Sequence, residues 1–141
     1  METKYSPFFV SLIIGCLMAA ASFILNSWFI KKWGNKAFIT IGPVIEEVSK
    51  SYLAWYLGAD LLLTHVTFGV IEGIYDLLSS RYGSQGCILS IGGHSLFGLV
   101  TIVVYFFSGF IGVGIVLACV VHIGYNLWMI YHFTNNQELG E

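Results

Sequence analysis

The chain alternates long apolar runs with short polar breaks, and the runs have the length of membrane spans. Residues 7–30 contain no ionisable group, and about 20 predominantly apolar residues suffice for a helix to cross a bilayer. Lys31-Lys32-Trp33-Gly34-Asn35-Lys36 follows, then further runs over roughly 37–57, 61–80, 85–107 and 110–133, with Ser108-Gly109 as a tight turn before the last. The pattern predicts an all-α, polytopic transmembrane helix bundle of about five spans, forming one domain over 1–141 with its polar motifs between 42 and 128. Pro43 is expected to begin or kink the second helix. Gly92-Gly93 offers a break that would turn the fourth run into a re-entrant piece followed by a helix from near His94.

The first run has some likeness to a cleaved leader, with Lys4 ahead of it, Ala19-Ala20-Ala21 inside it and Ile13-Ile14-Gly15-Cys16 resembling a lipoprotein box. A secretory apolar segment is only about 7–15 residues long, and this run continues past both sites. A retained anchoring helix is expected.

Composition agrees with the pattern: 57% of residues are hydrophobic and 10% charged, against about 25% charged in soluble domains, and mean hydropathy is +0.80. A net charge of −2 with no extended basic patch argues against nucleic acid as a partner. Cys16, Cys87 and Cys119 show no paired spacing and are expected to be small packing residues, with neither a disulfide framework nor a thiolate metal site. The lysine-rich loop at 31–36 is expected in the cytoplasm, with Arg81 on the same side. The N-terminus is then outside, and the polar tail 134–141 is inside, at the cytoplasmic membrane.

Inside the apolar runs sit ionisable groups that lipid does not tolerate alone. Glu46 and Glu47 are adjacent, and two uncompensated carboxylates near the bilayer centre would cost roughly 5–7 kcal/mol. Counted from the lysine-rich side, Glu46, Glu72, His94 and His122 all lie about 14–15 Å deep, so four helices bring acid or imidazole to one level. Glu46 and Lys50, Phe68 and Glu72, Glu72 and Asp76, His94 and Gly98, and His122 and Asn126 each stand at i,i+4 on one helix face. Gly69, Gly73, Gly92, Gly93, Gly98 and Gly124 lie beside these stripes, where small residues let helix backbones approach. One buried polar site is the economical reading.

Water activation is the chemistry such a set supports. Paired acids can divide into a base and a proton donor, a task for Glu46 and Glu47. Glu72, His94 and His122 could hold a divalent metal such as zinc; without metal, the histidines and the Asn126 amide could polarise a carbonyl. The HExxH signature, the GxSxG elbow and a P-loop are all absent. Lys50 and Phe68 are expected as ion partner and packing residue, His65 and His132 as interfacial, Asp76 as a loop-proximal polar group, and the tryptophans as interface anchors or packing residues.

Four ordered motifs carry a resemblance. Glu46-Glu47-Val48-Ser49-Lys50 reads EExxK, Phe68-Gly69-Val70-Ile71-Glu72 reads FxxxE, His94-Ser95-Leu96-Phe97-Gly98 reads HxxxG, and His122-Ile123-Gly124-Tyr125-Asn126 reads HxxxN. Over about residues 42–128 the chain resembles the PrsW branch of the CPBP superfamily, which holds CAAX-type intramembrane proteases and bacteriocin-processing enzymes. The resemblance implies an intramembrane endopeptidase in which Glu46, Glu47 and His122 function, with Glu72 and His94 in the same site. It also implies a membrane-anchored protein or peptide as substrate, such as an anti-sigma factor for PrsW-like proteins or a prenylated tail for CAAX-type relatives. Asn126 stands where PrsW-like sequences often carry Asp, and Glu72 where CAAX-type enzymes carry His. A non-catalytic membrane scaffold or immunity protein of the same fold is the alternative; a proton-coupled carrier fits less well, because the polar groups cluster at one depth.

Overall fold

Apolar residues in unbroken runs satisfy their backbone most simply as helices, and the computed structural model consists of five. It describes residues 6–79 and 83–138, with side chains throughout except at 35–38 and 134–138. The helices are α1 (Pro7–Trp33), α2 (Asn35–Tyr56), α3 (Leu61–Ser79), α4 (Gly83–Ser108) and α5 (Ile111–Glu138). Pro7 opens α1 at a position where its missing N–H costs nothing. Gly34 and Gly109 turn the chain sharply into α2 and α5 at φ of 73° and 72°, a region closed to most residues with a Cβ. Asp60 caps α3, its Oδ1 accepting from Leu63 N at 2.8 Å, while its own N–H donates to Ser11 Oγ on α1 at 2.8 Å.

Four helices, α1, α3, α4 and α5, are long and apolar enough to cross a membrane, as expected of an integral membrane protein. The exception, α2, is long enough, its 22 residues spanning about 33 Å. Glu46, Glu47 and Lys50 make it too polar to pass as an ordinary span. Its place in the bundle accounts for this. α2 packs against each of the other four helices, while α1, α3, α4 and α5 follow one another around it, with α3 and α4 making the most extensive pairing. The face of α2 bearing Pro43, Glu46, Glu47, Lys50, Ser51 and Ala54 is buried, whereas Val44, Val48, Tyr52 and Trp55 point outward. The helix is amphipathic in the inverted sense, with charge inward and hydrocarbon outward, as a lipid surround requires. The whole molecule repeats the inversion: Ser, Thr, His, Glu and Lys are prominent in the interior, and Phe8, Ile13, Leu17, Ile24, Phe106 and Phe107 are exposed.

Several sequence expectations are corrected. Pro43 lies inside α2, which rules out the helix start but not the kink expected of it, and α4 runs without a break through Gly92-Gly93. Gly69 and Gly73 do face α4: a Cβ on either would meet a backbone carbonyl, of Ser90 or Cys87, at 2.9 Å. Gly92 and Gly124 face open space and contribute no close approach. Cys16 is exposed rather than packed, while Cys119 is buried. Arg81 lies outside the described residues, as does the end of the tail at 139–141.

Candidate active site

The inward face of α2 meets α3, α4 and α5 at the expected level. Glu47 and Lys50 are fully buried and form an ion pair, Lys50 Nζ lying 2.7 Å from Glu47 Oε1. One helical turn brings the two together, and the partner helices complete the shell. His122 Nδ1 on α5 is 2.9 Å from the same Glu47 oxygen. His94 Nδ1 on α4 is 2.8 Å from Lys50 Nζ, and His94 Nε2 is 2.5 Å from Glu72 Oε2 on α3. Phe68 lies under Lys50, whose Nζ is 4.2 Å from the ring centre. The lysine ammonium is sustained by two hydrogen-bond acceptors, one of them its carboxylate counter-ion, and by an aromatic face.

Hydrogen-bond chemistry sets the proton positions. An ammonium can only donate, so His94 Nδ1 accepts from Lys50 and Nε2 carries the proton donated to Glu72. A carboxylate can only accept, so His122 Nδ1 donates to Glu47; in the neutral ring Nε2 is then a lone pair.

Glu46, adjacent to Glu47, points elsewhere. Its Oε1 accepts from Asn26 Nδ2 of α1 at 2.9 Å, and the residue lines a cavity of about 160 Å³ with Glu72, His94, His122 and Asn126. Glu47 does not line that cavity. Asp76, Ser90, Leu89, Met129 and Ile130 continue the lining toward the end of the bundle where α3 and α5 finish and α4 starts, which is also where α1 carries Lys31 and Lys32. Ser90 Oγ donates to Asp76 Oδ2 at 2.7 Å, and Tyr125 OH donates to the Leu89 carbonyl at 3.0 Å.

No family model, curated protein or solved structure matches the chain. Its site therefore has to be judged on its own geometry. Glu46, Glu47, Glu72, His94 and His122 are brought together by contacts among α2, α3, α4 and α5, and Asn126 borders the cavity without a hydrogen bond to another described residue. Two residues expected at the margins take part in the polar interior. His65, expected near an interface, is fully buried, with Ser51 Oγ 2.9 Å from its Nε2. Asp76, expected near a loop, lines the cavity. Asn26, the one amide in the first apolar run, is a further site residue; its pairing with Glu46 spans helices and left no spacing signal. His65 did leave one, at i,i+3 from Phe68 and i,i+7 from Glu72 on the same face.

Among the described residues, two sets of donors lie close enough to hold a metal ion: Glu46, His94 and His122, and Glu47, His65 and His94, each with ligand atoms within 4.8 Å of one another. Neither set includes Glu72. His94 belongs to both, and its two nitrogens are engaged by Lys50 and Glu72. The second set also has the Lys50 ammonium in its midst. A divalent ion such as zinc would therefore need His94 to release a partner, and the hydrogen-bonded arrangement does not fit one as it stands.

Proposed function

We propose that the protein is an intramembrane endopeptidase of the PrsW-like type, hydrolysing a peptide bond of a membrane-anchored protein or peptide with glutamate-activated water. The observation that carries this reading is the placement of Glu46: a carboxylate only 4% exposed, steered by Asn26, beside two imidazoles and an amide on one cavity. A cavity of about 160 Å³ is comparable to an engineered one that takes benzene. It has room for a peptide group with a water, but not for a folded chain, so the substrate would enter as an extended or unwound segment.

In this reading Glu46 takes a proton from the water as its oxygen adds to the scissile carbonyl carbon. The His122 Nε2 lone pair accepts the water's other hydrogen and aims it, and the Asn126 amide donates to the developing oxyanion. When the C–N bond breaks, Glu46 returns its proton to the leaving nitrogen. Glu47 and Lys50 orient His122 and His94 and stay out of the reaction, and Glu72 holds His94 from the other side. The mechanism uses no metal. The exposed Lys31 and Lys32 favour a cytoplasmic setting for the end of the bundle toward which the cavity extends, with the N-terminus outside.

The test is cleavage of a fluorescent casein and of a single-span reporter by protein reconstituted in liposomes. Glu46→Gln is expected to abolish cleavage with the helical fold retained, and prior chelation and dialysis are expected to leave the parent rate unchanged. Loss of activity on chelation, restored by zinc, would overturn the metal-free mechanism. Cellular function that survives Glu46→Gln, with no cleavage by either protein, would point to the scaffold.

A further inference from the structure

Behind the site, on the side away from the cavity, one contact is incomplete. Glu47 Oε1 is fully occupied by Lys50 and His122, but Glu47 Oε2 has no hydrogen-bond partner. His65 Nδ1 has none either. Among the described residues these are the two buried side-chain polar atoms left unpaired, and they face each other at 3.7 Å. Burying either without a partner is unfavourable, and a shift of about 0.5–1 Å would bring them into hydrogen-bond range. Gly98 makes room for this ring: a Cβ there would lie 2.9 Å from His65 Cβ and Cγ.

We infer that His65 is a positioning residue for the candidate active site, donating from Nδ1–H to Glu47 Oε2 while Ser51 Oγ–H donates to its Nε2. The inference rests on the reading of the site as hydrolytic. The tautomer follows from electrostatics. With the proton on Nε2, the Nδ1 lone pair would face a carboxylate oxygen across a dry gap; with the proton on Nδ1, both buried atoms are satisfied and the serine hydroxyl still has an acceptor. Ser51, His65, Glu47 and His122 then form one chain of hydrogen bonds ending at the His122 Nε2 lone pair on the cavity. His65 touches no substrate. It keeps the Glu47 carboxylate from rotating, and thereby holds His122 in its working orientation, as outer hydrogen-bond partners of reactive imidazoles do.

Substitutions that preserve one ring nitrogen at a time separate this role from mere packing. The Asn amide nitrogen falls near the place of Nδ1, and the Gln amide nitrogen near that of Nε2. His65→Asn is expected to retain most of the reporter-cleaving activity, while His65→Gln lowers kcat about 10- to 100-fold with KM unchanged. Equal activity of the two variants would overturn the inference. The tautomer itself is read by ring-nitrogen NMR of the full protein labelled at histidine, with His65, His94, His122 and His132 assigned by single substitutions. The expected result is a proton on His65 Nδ1 whose signal moves in Glu47→Gln, and a Ser51→Ala effect on Nε2. A proton found on Nε2 would overturn the inference whatever the activity. If no reporter is cleaved by any form but the Nδ1 proton is present and responds to Glu47, the positioning chain stands and the protease reading falls.

Discussion

Replacing Lys50 with Met keeps the length and most of the volume of the side chain and deletes only its charge and donors. Lys50 Nζ sits 2.7 Å from Glu47 Oε1, 2.8 Å from His94 Nδ1 and 4.2 Å from the Phe68 ring centre, and both members of the ion pair have no exposed side-chain surface. A solvent-exposed pair would be worth at most about 1 kcal/mol. This pair is different, because deleting one partner strands a carboxylate in the interior, which costs about 3–5 kcal/mol. Lys50→Met is therefore expected to lose about 3–5 kcal/mol of stability. The double variant Glu47→Gln/Lys50→Met removes both charges and is expected to recover much of that loss, with a coupling of at least about 2 kcal/mol. Denaturant titration in micelles would measure this, with thiol labelling of buried Cys119 as the unfolding signal in a background where exposed Cys16 is serine. A loss under about 1 kcal/mol in Lys50→Met, the value of an exposed pair, or strictly additive single and double variants, would refute the argument that the interior at Lys50 is dry.

Two further outcomes follow from the packing. Gly69→Ala would place its Cβ 2.9 Å from the Ser90 carbonyl oxygen and 3.1 Å from Ile91 Cα, backbone that cannot rotate away, and is expected to cost about 1–3 kcal/mol; Gly124→Ala, with open space around it, should instead stabilise α5 by up to about 1 kcal/mol. The same titration reads both, and equal signs would show that the α3–α4 approach is not tight. Asn26→Leu removes the donor that steers Glu46; reporter cleavage should fall about 10- to 100-fold with little change in stability, and unaltered kinetics would show that Glu46 needs no such support.

Much of the architecture could be read from one dimension. Run length and apolarity determine how many helices there are, since a membrane helix satisfies its own backbone and needs only enough hydrocarbon along it. Relative height was legible too, because a rise of about 1.5 Å per residue turns sequence position into height; Glu46, Glu72, His94 and His122 do line one cavity. Spacing at i,i+4 also put Glu72 and Asp76 on one cavity-lining face, but Lys50 pairs with Glu47 at i,i+3 and not with Glu46 at i,i+4.

Rotation and partnership were not legible. Adjacent residues on a helix point about 100° apart, so Glu46-Glu47 as a pair says nothing of which glutamate borders the cavity. The packing of α2 against all four neighbours decides that, sending Glu46 to Asn26 and the cavity and Glu47 to Lys50, His122 and His65. His65 shows the same limit. Its spacing from Phe68 and Glu72 marks the face it shares with them, but its burial becomes visible only when Ser51 of α2 and Gly98 of α4 close around it. Periodicity reports the geometry within one helix, whereas hydrogen bonds between helices depend on crossing angle and rotation, which arise from contacts among residues far apart in the chain.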